Sequence, residues 1–381
     1  MEADFELRKF VAPEFVFGFD ARLLVGRYLK NFAAKKVLLV TDRGVMSSGW
    51  LEEILHILES DNYDYEIFSK LNSNPRTIDV ANGASVYDEE ECDVIVALGG
   101  GSPMDCAKGI GIVSSNKKSV NYFEGVDRVL MPSPPLICIP TTAGSSADVS
   151  QFAIISDNSK KVKMAIISKK MVPDVALIDP ITTLTLDHEM TVSGGFDILS
   201  HAIEAYVSNA SSPITDIHAT EAFKLFSSYM IPTLEHPDNI KFRANLMLAS
   251  LHAGLAFSNA SLGLIHAMAH SLGGYKDLAH GECNALLLEH VINFNYDYEP
   301  IKYSKMAKNL GMGNIKHKNE LLDGIRKFKM ESGLDHTLKD LGIMEEDIPK
   351  LAIRAMNDPC MATNPIIPEI SEVEDLFKHA L

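Results

Sequence analysis

The sequence predicts two successive architectures, an α/β unit around a parallel sheet and then an all-helical unit. Up to about Asp179, short unbroken apolar runs alternate with amphipathic stretches. A strand covered by helices on both faces is apolar on both, so it reads as a continuous run and not as an alternation. From Asp187 onward, long helical patterns dominate and no β-branched run of comparable strength recurs. A chain of 381 residues also exceeds one average domain. The boundary falls near Pro180–Leu186, giving domains over 1–184 and 185–381.

In chain order, the expected strands are "KVLLVT" (Lys36–Thr41), "YEIFS" (Tyr65–Ser69), "DVIVALG" (Asp93–Gly99) and "PLICIP" (Pro135–Pro140). Amphipathic helices are expected between them near Trp50–Ser60, Thr77–Glu90 and Pro103–Ser115. "FAIIS", "KMAII" and "DVALID" read as further strands of the same α/β unit. No repeat or low-complexity segment interrupts the pattern.

With 46% hydrophobic and 23% charged residues the composition is that of a globular chain. A formal charge of −16 argues against nucleic-acid or anionic-membrane partners, whose negative surfaces would repel it. No run approaches the ~18 apolar residues that span a bilayer. The opening "MEADFELRKF" has no apolar signal core, which points to the cytoplasm. Five dispersed cysteines without paired spacing read as reduced thiols there.

"VALGGGSPMDCAKGI" ends a strand and opens a helix. Gly99, Gly100 and Gly101 remove Cβ atoms where backbone must come close, Ser102 suits a cap and Pro103 a first turn. Such a helix start offers free amides to a pyrophosphate; a tight turn that binds nothing is the plain alternative. The usual GxGxxG fingerprint places its ribose-reading acid ~20 residues after the glycines. Here the candidate acid, Asp42, ends an earlier strand, where it would accept from ribose hydroxyls and repel a 2′-phosphate, favouring NAD; taken alone, it also fits a helix cap. Thr141, Thr142 and Ser145 in "PTTAGSSADVS" follow another strand with side chains suited to a nucleotide.

In the helical half, Asp197 and His201 stand at i, i+4 in "GGFDILSHAIEAY", and on a helix that spacing shares one face. His266 and His270 repeat it, and His280 completes a set of three histidines within fifteen positions, in a chain that has thirteen. A carboxylate with imidazoles suits Fe²⁺ or Zn²⁺, and the residues alone choose neither the ion nor which histidines bind it. Between Asp187 and Ala210 there is no Lys or Arg, and between Leu251 and His290 only Lys276. A phosphorylated substrate would want cationic clamps, so the expectation is a small uncharged one.

Together, "GGGSPMDCAKG", "PTTAG", "VKMAI", "GGFDILSHAIEAY", "NASLGLIHAMAHSLGGYKDLAHGECNALLLEHV" and "DPCMATNP" resemble the iron-containing (group III) alcohol dehydrogenases, from about Phe15 to Phe377. The resemblance implies a dehydroquinate synthase-like architecture, with a Rossmann-like NAD-binding domain, a helical catalytic domain and a metal between them. It implies Asp197, His201, His266 and His280 as ligands, with His270 near the substrate but outside that set. It assigns cofactor contacts to Asp42, Gly101, Ser102, Thr141, Thr142, Phe152 and Lys163; Gly100 and Ser145 join them from the loop reading above. It also carries a pocket wall of Phe152, Phe257 and Cys360, and homodimers or larger homo-oligomers as the family habit. The expected reaction is reversible hydride transfer between a small primary alcohol or diol and its aldehyde, with His270 carrying the proton. A glycerol or polyol dehydrogenase and a dehydroquinate-synthase-like lyase are the alternatives on the same fold. Two departures stand out. Ser146, Ala147 and Asp148 occupy a loop position where the family has Gly/Ala-Ser-Glu, and Glu282 and Glu289 add charge where members often carry apolar residues or proline.

Overall fold

The computed structural model describes residues 7–381; residues 1–6, which carry part of the no-export expectation, lie outside it. The chain runs through β1 (Glu14–Phe17), α1 (Val25–Asn31), β2 (Lys36–Val40), α2 (Arg43–Ser48), α3 (Trp50–Ser60), β3 (Asp64–Phe68) and α4 (Thr77–Glu89). It continues through β4 (Val94–Gly99), α5 (Gly101–Asn116), β5 (Gly125–Val126), β6 (Leu136–Pro140), β7 (Phe152–Asp157), β8 (Val162–Ile167) and β9 (Val175–Ile178). Six strands pair in parallel in the order β1-β9-β6-β4-β2-β3. The unbroken apolar runs have the expected cause. Leu38, Val40, Ile95 and Ala97 enter a core on one face of the sheet, while Val37, Leu39, Val94 and Val96 enter a second core on the other.

Two differences from the sequence reading have physical reasons. The short edge strand β1 and the helices α1 and α2 escaped it because each is too brief to show a period. "FAIIS" and "KMAII" are strands, but they leave the main sheet: β7 and β8 pair antiparallel and, with β5, form a three-stranded sheet. Their linker is the reason. A parallel return needs a crossover of about a dozen residues, whereas at this corner Asp157 accepts from the Ser159 amide at 3.0 Å and from its hydroxyl at 2.6 Å, turning the chain straight back.

The C-terminal domain is helical: α6 (His188–Val207), α7 (Pro213–Glu235), α8 (Ile240–Ala260), α9 (Leu264–Lys276), α10 (His280–Asn295), α11 (Pro300–Asn309), α12 (Lys318–Glu331), α13 (Ile348–Met356) and α14 (Ile370–Ala380). Asp187 caps α6 by accepting from the Met190 amide at 2.8 Å. From Phe196 to Val207 every residue of α6 is buried, making it the axis of the domain, packed by α7, α8 and α10. Between α8 and α9 the chain bends by 99° at Ser261–Gly263. No single helix among the described residues is long and apolar enough to cross a membrane.

Candidate metal centre and cofactor cleft

The chain reverses its direction of growth across the sheet between β2 and β4, since β3 lies beyond β2 and β6 beyond β4. At such a switch point the loops leaving adjacent strands part and open a crevice at their carboxyl ends. Asp42 leaves β2, Gly99–Gly101 leave β4 and the 141–150 loop leaves β6, so this topology gathers the predicted cofactor loops on one edge. The glycines are needed for fit. A Cβ on Gly100 would stand 3.1 Å from Thr142 Cγ2, and one on Gly101 3.0 Å from Ser145 Cβ. Thr141 bonds across the same gap, its amide donating to the Gly99 carbonyl at 2.9 Å.

One side chain there does something other than expected, and another takes the plainer of its two readings. Ser102 does not cap α5: the cap position is Gly100, without a side chain, and Ser102 lies inside the first turn, where its hydroxyl donates to the Ser73 carbonyl. Asp42 caps α2, accepting from the Val45 amide at 2.9 Å. Lys108 escaped the sequence reading altogether. Fully buried on α5, it donates to the Ser150 and Phe152 carbonyls at 2.8 and 2.7 Å and so fixes the start of β7. Burial pushes the nearby Asp105 and Asp148 carboxyls up to about 6, partly offset by the Lys108 charge. The Asp148 departure therefore places a buried carboxyl in the field of a buried ammonium.

Across the cleft, α6, the first turn of α9 and the first turn of α10 converge. Asp197 Oδ1 lies 3.5 Å from His201 Nε2, 3.6 Å from His266 Nε2 and 3.7 Å from His280 Nε2. Bonds of about 2.1 Å to a tetrahedral ion separate ligand atoms by roughly 3.4 Å, so each of the three imidazole nitrogens stands near ligand-to-ligand spacing from Asp197. Asp197, His201 and His266 each offer one ligand atom, and these three atoms lie within 4.8 Å of one another. Glu204, one turn beyond His201, sits 2.6 Å from His266 Nδ1 and accepts from the Ile265 amide at 2.5 Å. A carboxylate behind a ligating imidazole fixes its orientation and tautomer. Its signal lay in the sequence, seven residues after Asp197 on the same helical stripe.

Electrostatics match the geometry. Burial opposes charge on Asp197, but the surrounding histidines outweigh it and hold the carboxylate well below its ordinary range. Burial pushes His201 down to about 3 despite Asp197, and carries His280 well below its usual value. For His266 burial is overcome by Glu204 and Asp197, which raise it to about 9.

His270 stands beside this cage. Its ring stacks on that of His280 at 5.3 Å, and its Nδ1 meets Asp358 Oδ2 at 2.8 Å. Burial opposes charge on Asp358, yet His270 and hydrogen bonds keep it below its usual range. An ionised Asp358 can only accept, so Nδ1 carries the hydrogen and Nε2 is left as the other ring atom of an imidazole lining the cleft. Phe152 and Phe257 meet edge-to-face at 5.5 Å, and His201 stacks on Phe257 at 4.2 Å. Cys360 is misplaced by the sequence reading: it is fully buried behind Asp358, to which its amide donates at 2.8 Å, and it does not line the cavity.

One cavity of about 760 Å³ joins both sides of the cleft. Gly101, Ser102, Thr142, Ser145, Phe152 and Lys163 line it from the α/β domain. All four cage residues, His270 and Phe257 line it from the helices, whereas Asp42, Gly100 and Thr141 lie outside its wall. Lys163 corrects the count of cations made along the sequence: the β7–β8 hairpin carries it in from the other domain, and it is the one lysine or arginine in the described lining. The remaining departures also find partners. Glu282 meets His336 Nε2 at 2.8 Å on the rim, and Glu289 ties α10 to α12 through Arg326 and Lys329 at 2.6 and 3.2 Å.

Comparison with known proteins gives the family. Residues 12–180 match the family described as "Iron-containing alcohol dehydrogenase", and residues 191–381 match "Fe-containing alcohol dehydrogenase family, C-terminal". The chain belongs to the iron-containing alcohol dehydrogenase family. Members of this family use NAD and Fe²⁺. Among relatives, the 1,3-propanediol dehydrogenase of Klebsiella pneumoniae is 35% identical over 371 residues, covering 96% of each chain. The NAD-dependent methanol dehydrogenase of Bacillus methanolicus is 35% identical over 98% of this chain and 99% of that one. A solved 1,3-propanediol oxidoreductase superposes with a TM-score of 0.95 at 34% identity, over 99% of this chain and 100% of the other.

Proposed function

We propose that this iron-containing alcohol dehydrogenase moves hydride reversibly between NAD and a small neutral primary alcohol or diol, the aldehyde being the oxidised partner. What supports the reading is that glycine-loop residues and a four-donor cage line one cavity. The residues that would hold the ion are Asp197, His201, His266 and His280, with Fe²⁺ as the family's metal and Zn²⁺ compatible with the same donors. When bound, such an ion supplies Lewis acidity to an alcohol oxygen.

The chain's own residues do the rest. Gly100, Gly101 and Ser102 present the start of α5 to a pyrophosphate, while Thr141, Thr142 and Ser145 line the adjacent loop. Asp42 meets the ribose, and Lys163 and Phe152 stand between cofactor and cage. Phe152 and Phe257 exclude water from the reacting carbon. His270, oriented by Asp358, accepts the alcohol proton at Nε2 and releases it to solvent. The wall around the cage suits a neutral substrate, because Lys163 is the cavity's only lining lysine or arginine among the described residues.

We place the enzyme in the cytoplasm as a homo-oligomer. β1 supports a second copy: it is one edge strand of the six-stranded sheet, its outer side without a partner strand among the described residues. Phe15 on it and Phe19 just beyond it are exposed. The experiment is NADH formation across a panel of primary alcohols and diols, before and after chelation and after return of Fe²⁺ or Zn²⁺. Turnover that survives complete chelation, or that prefers polyols or phosphorylated acids, sinks the reading. Sedimentation of a single-chain species at working concentration removes the oligomer.

A further inference from the structure

Asn284 is fully buried on α10, one turn after His280. Its Nδ2 donates to Asp197 Oδ1 at 2.9 Å and lies 3.3 Å from His266 Nε2 and 3.4 Å from His280 Nε2. One side chain thus reaches three of the four proposed ligands. Its own Oδ1 is buried and has no hydrogen-bond partner among the described residues. Buried amide oxygens without partners are rare, so this carboxamide is not placed to satisfy itself.

Resting on the proposed metal reading, we propose that Asn284 is a positioning residue for the ion: its amide fixes the rotation of the Asp197 carboxylate and so sets the affinity and geometry of the cage. The chemistry of the side chain singles it out. The atom it meets at bonding distance is an Asp197 carboxylate oxygen, which only accepts, so the side chain must donate there. A lysine there would compete with the ion and a carboxylate would add a second buried negative charge, whereas an amide donates without charge. An ion consumes the imidazole lone pairs, but a carboxylate oxygen has more than one, so the bond to Asp197 is the one compatible with a loaded site. A second-sphere donor of this kind is worth about 10–100-fold in metal affinity.

The test compares wild type, Asn284→Ala, Asn284→Asp and Asp197→Ala. Each is stripped of metal and titrated with Zn²⁺ against a chromogenic chelator, then loaded with Co²⁺ for its visible spectrum. Asn284→Ala is expected to weaken Zn²⁺ binding about 10–100-fold and to displace the Co²⁺ bands, with NAD affinity of the metal-free protein unchanged. Asn284→Asp, equal in size but unable to donate when ionised, is expected to displace the bands as well, which covers the case of an alanine variant that does not fold. Zn²⁺ affinity within about threefold of wild type and an unaltered Co²⁺ spectrum in the variants overturn the inference. Asp197→Ala separates the two failures. If it loses the ion while the Asn284 variants keep theirs, only the role of Asn284 is wrong; if it keeps the ion, the metal reading falls and this inference with it.

Discussion

On the helical side of the cleft, side-chain atoms do the work: Asp197 Oδ1 lies 3.5–3.7 Å from three imidazole nitrogens, and Glu204 backs His266 at 2.6 Å. On the α/β side the contacts are largely backbone and empty space. Gly100 and Gly101 matter for the Cβ atoms they lack, and Lys108 acts through carbonyls. The contrast teaches where substitutions act. Helical-side changes remove chemistry while the fold stands, and α/β-side changes are felt in stability and cofactor affinity.

The largest expected effect tests the first half of that contrast. His266→Ala removes the best-supported ligand and is expected to lower turnover at least about 1,000-fold, about 4 kcal/mol, with Glu204→Gln losing about 10–100-fold in metal affinity. Elemental analysis alongside urea unfolding checks both. Metal loss with unfolding little changed fits the contrast, whereas an unfolded Glu204→Gln protein would break it by making the cage part of the scaffold.

Lys108→Met tests the other half. It leaves two buried carbonyls without a donor and strips Asp105 and Asp148 of a nearby cation, a cost of about 3 kcal/mol, with Zn²⁺ affinity unchanged. A shift in the urea midpoint without metal loss sharpens the contrast, and metal loss without a shift reverses it.

A metal site was legible in the sequence because Asp197 and His201 share a helix face and three histidines cluster over 266–280. The choice of His266 and His280 over His270 came only from the family resemblance. What no local reading supplied was the contribution of distant segments. Lys163 arrives on a hairpin, Asp358 orients His270 from 88 residues away, and Cys360 lies behind the carboxylate when it was expected at the wall. The main sheet was legible because both faces of its strands are apolar. The β7–β8 hairpin was not seen to leave that sheet, since run length reports burial and says nothing of pairing direction.

A smaller effect concerns pH. Burial raises Asp148 in the folded state from its ordinary value to about 6. Between these values the folded protein holds a proton that the unfolded chain has released, so this group's contribution to stability falls as pH rises from about 4 to about 6. Asp148→Asn removes the titration and is expected to flatten the decline by about 1–2 kcal/mol over that window. Urea unfolding at pH steps across it reads the slope, and an unchanged slope means that Asp148 titrates normally.

The smallest effect separates two jobs held by one residue. Asp42 caps α2 through the Val45 amide, and as the acid beside the crevice it is also the residue proposed to repel a 2′-phosphate. Asp42→Ser keeps a capping oxygen and removes the charge, so stability should hold within about 0.5 kcal/mol. The preference for NAD over NADP, taken as the ratio of kcat/KM values, should fall about tenfold, about 1.4 kcal/mol. Asp42→Ala loses both, adding about 1 kcal/mol of instability to the same relaxed preference. If the serine variant keeps the wild-type ratio while the alanine variant loses stability alone, Asp42 is a cap and nothing more. Cofactor choice would then belong to the backbone of the loops, and the division between a side-chain wall and a backbone wall would extend to the far end of the crevice.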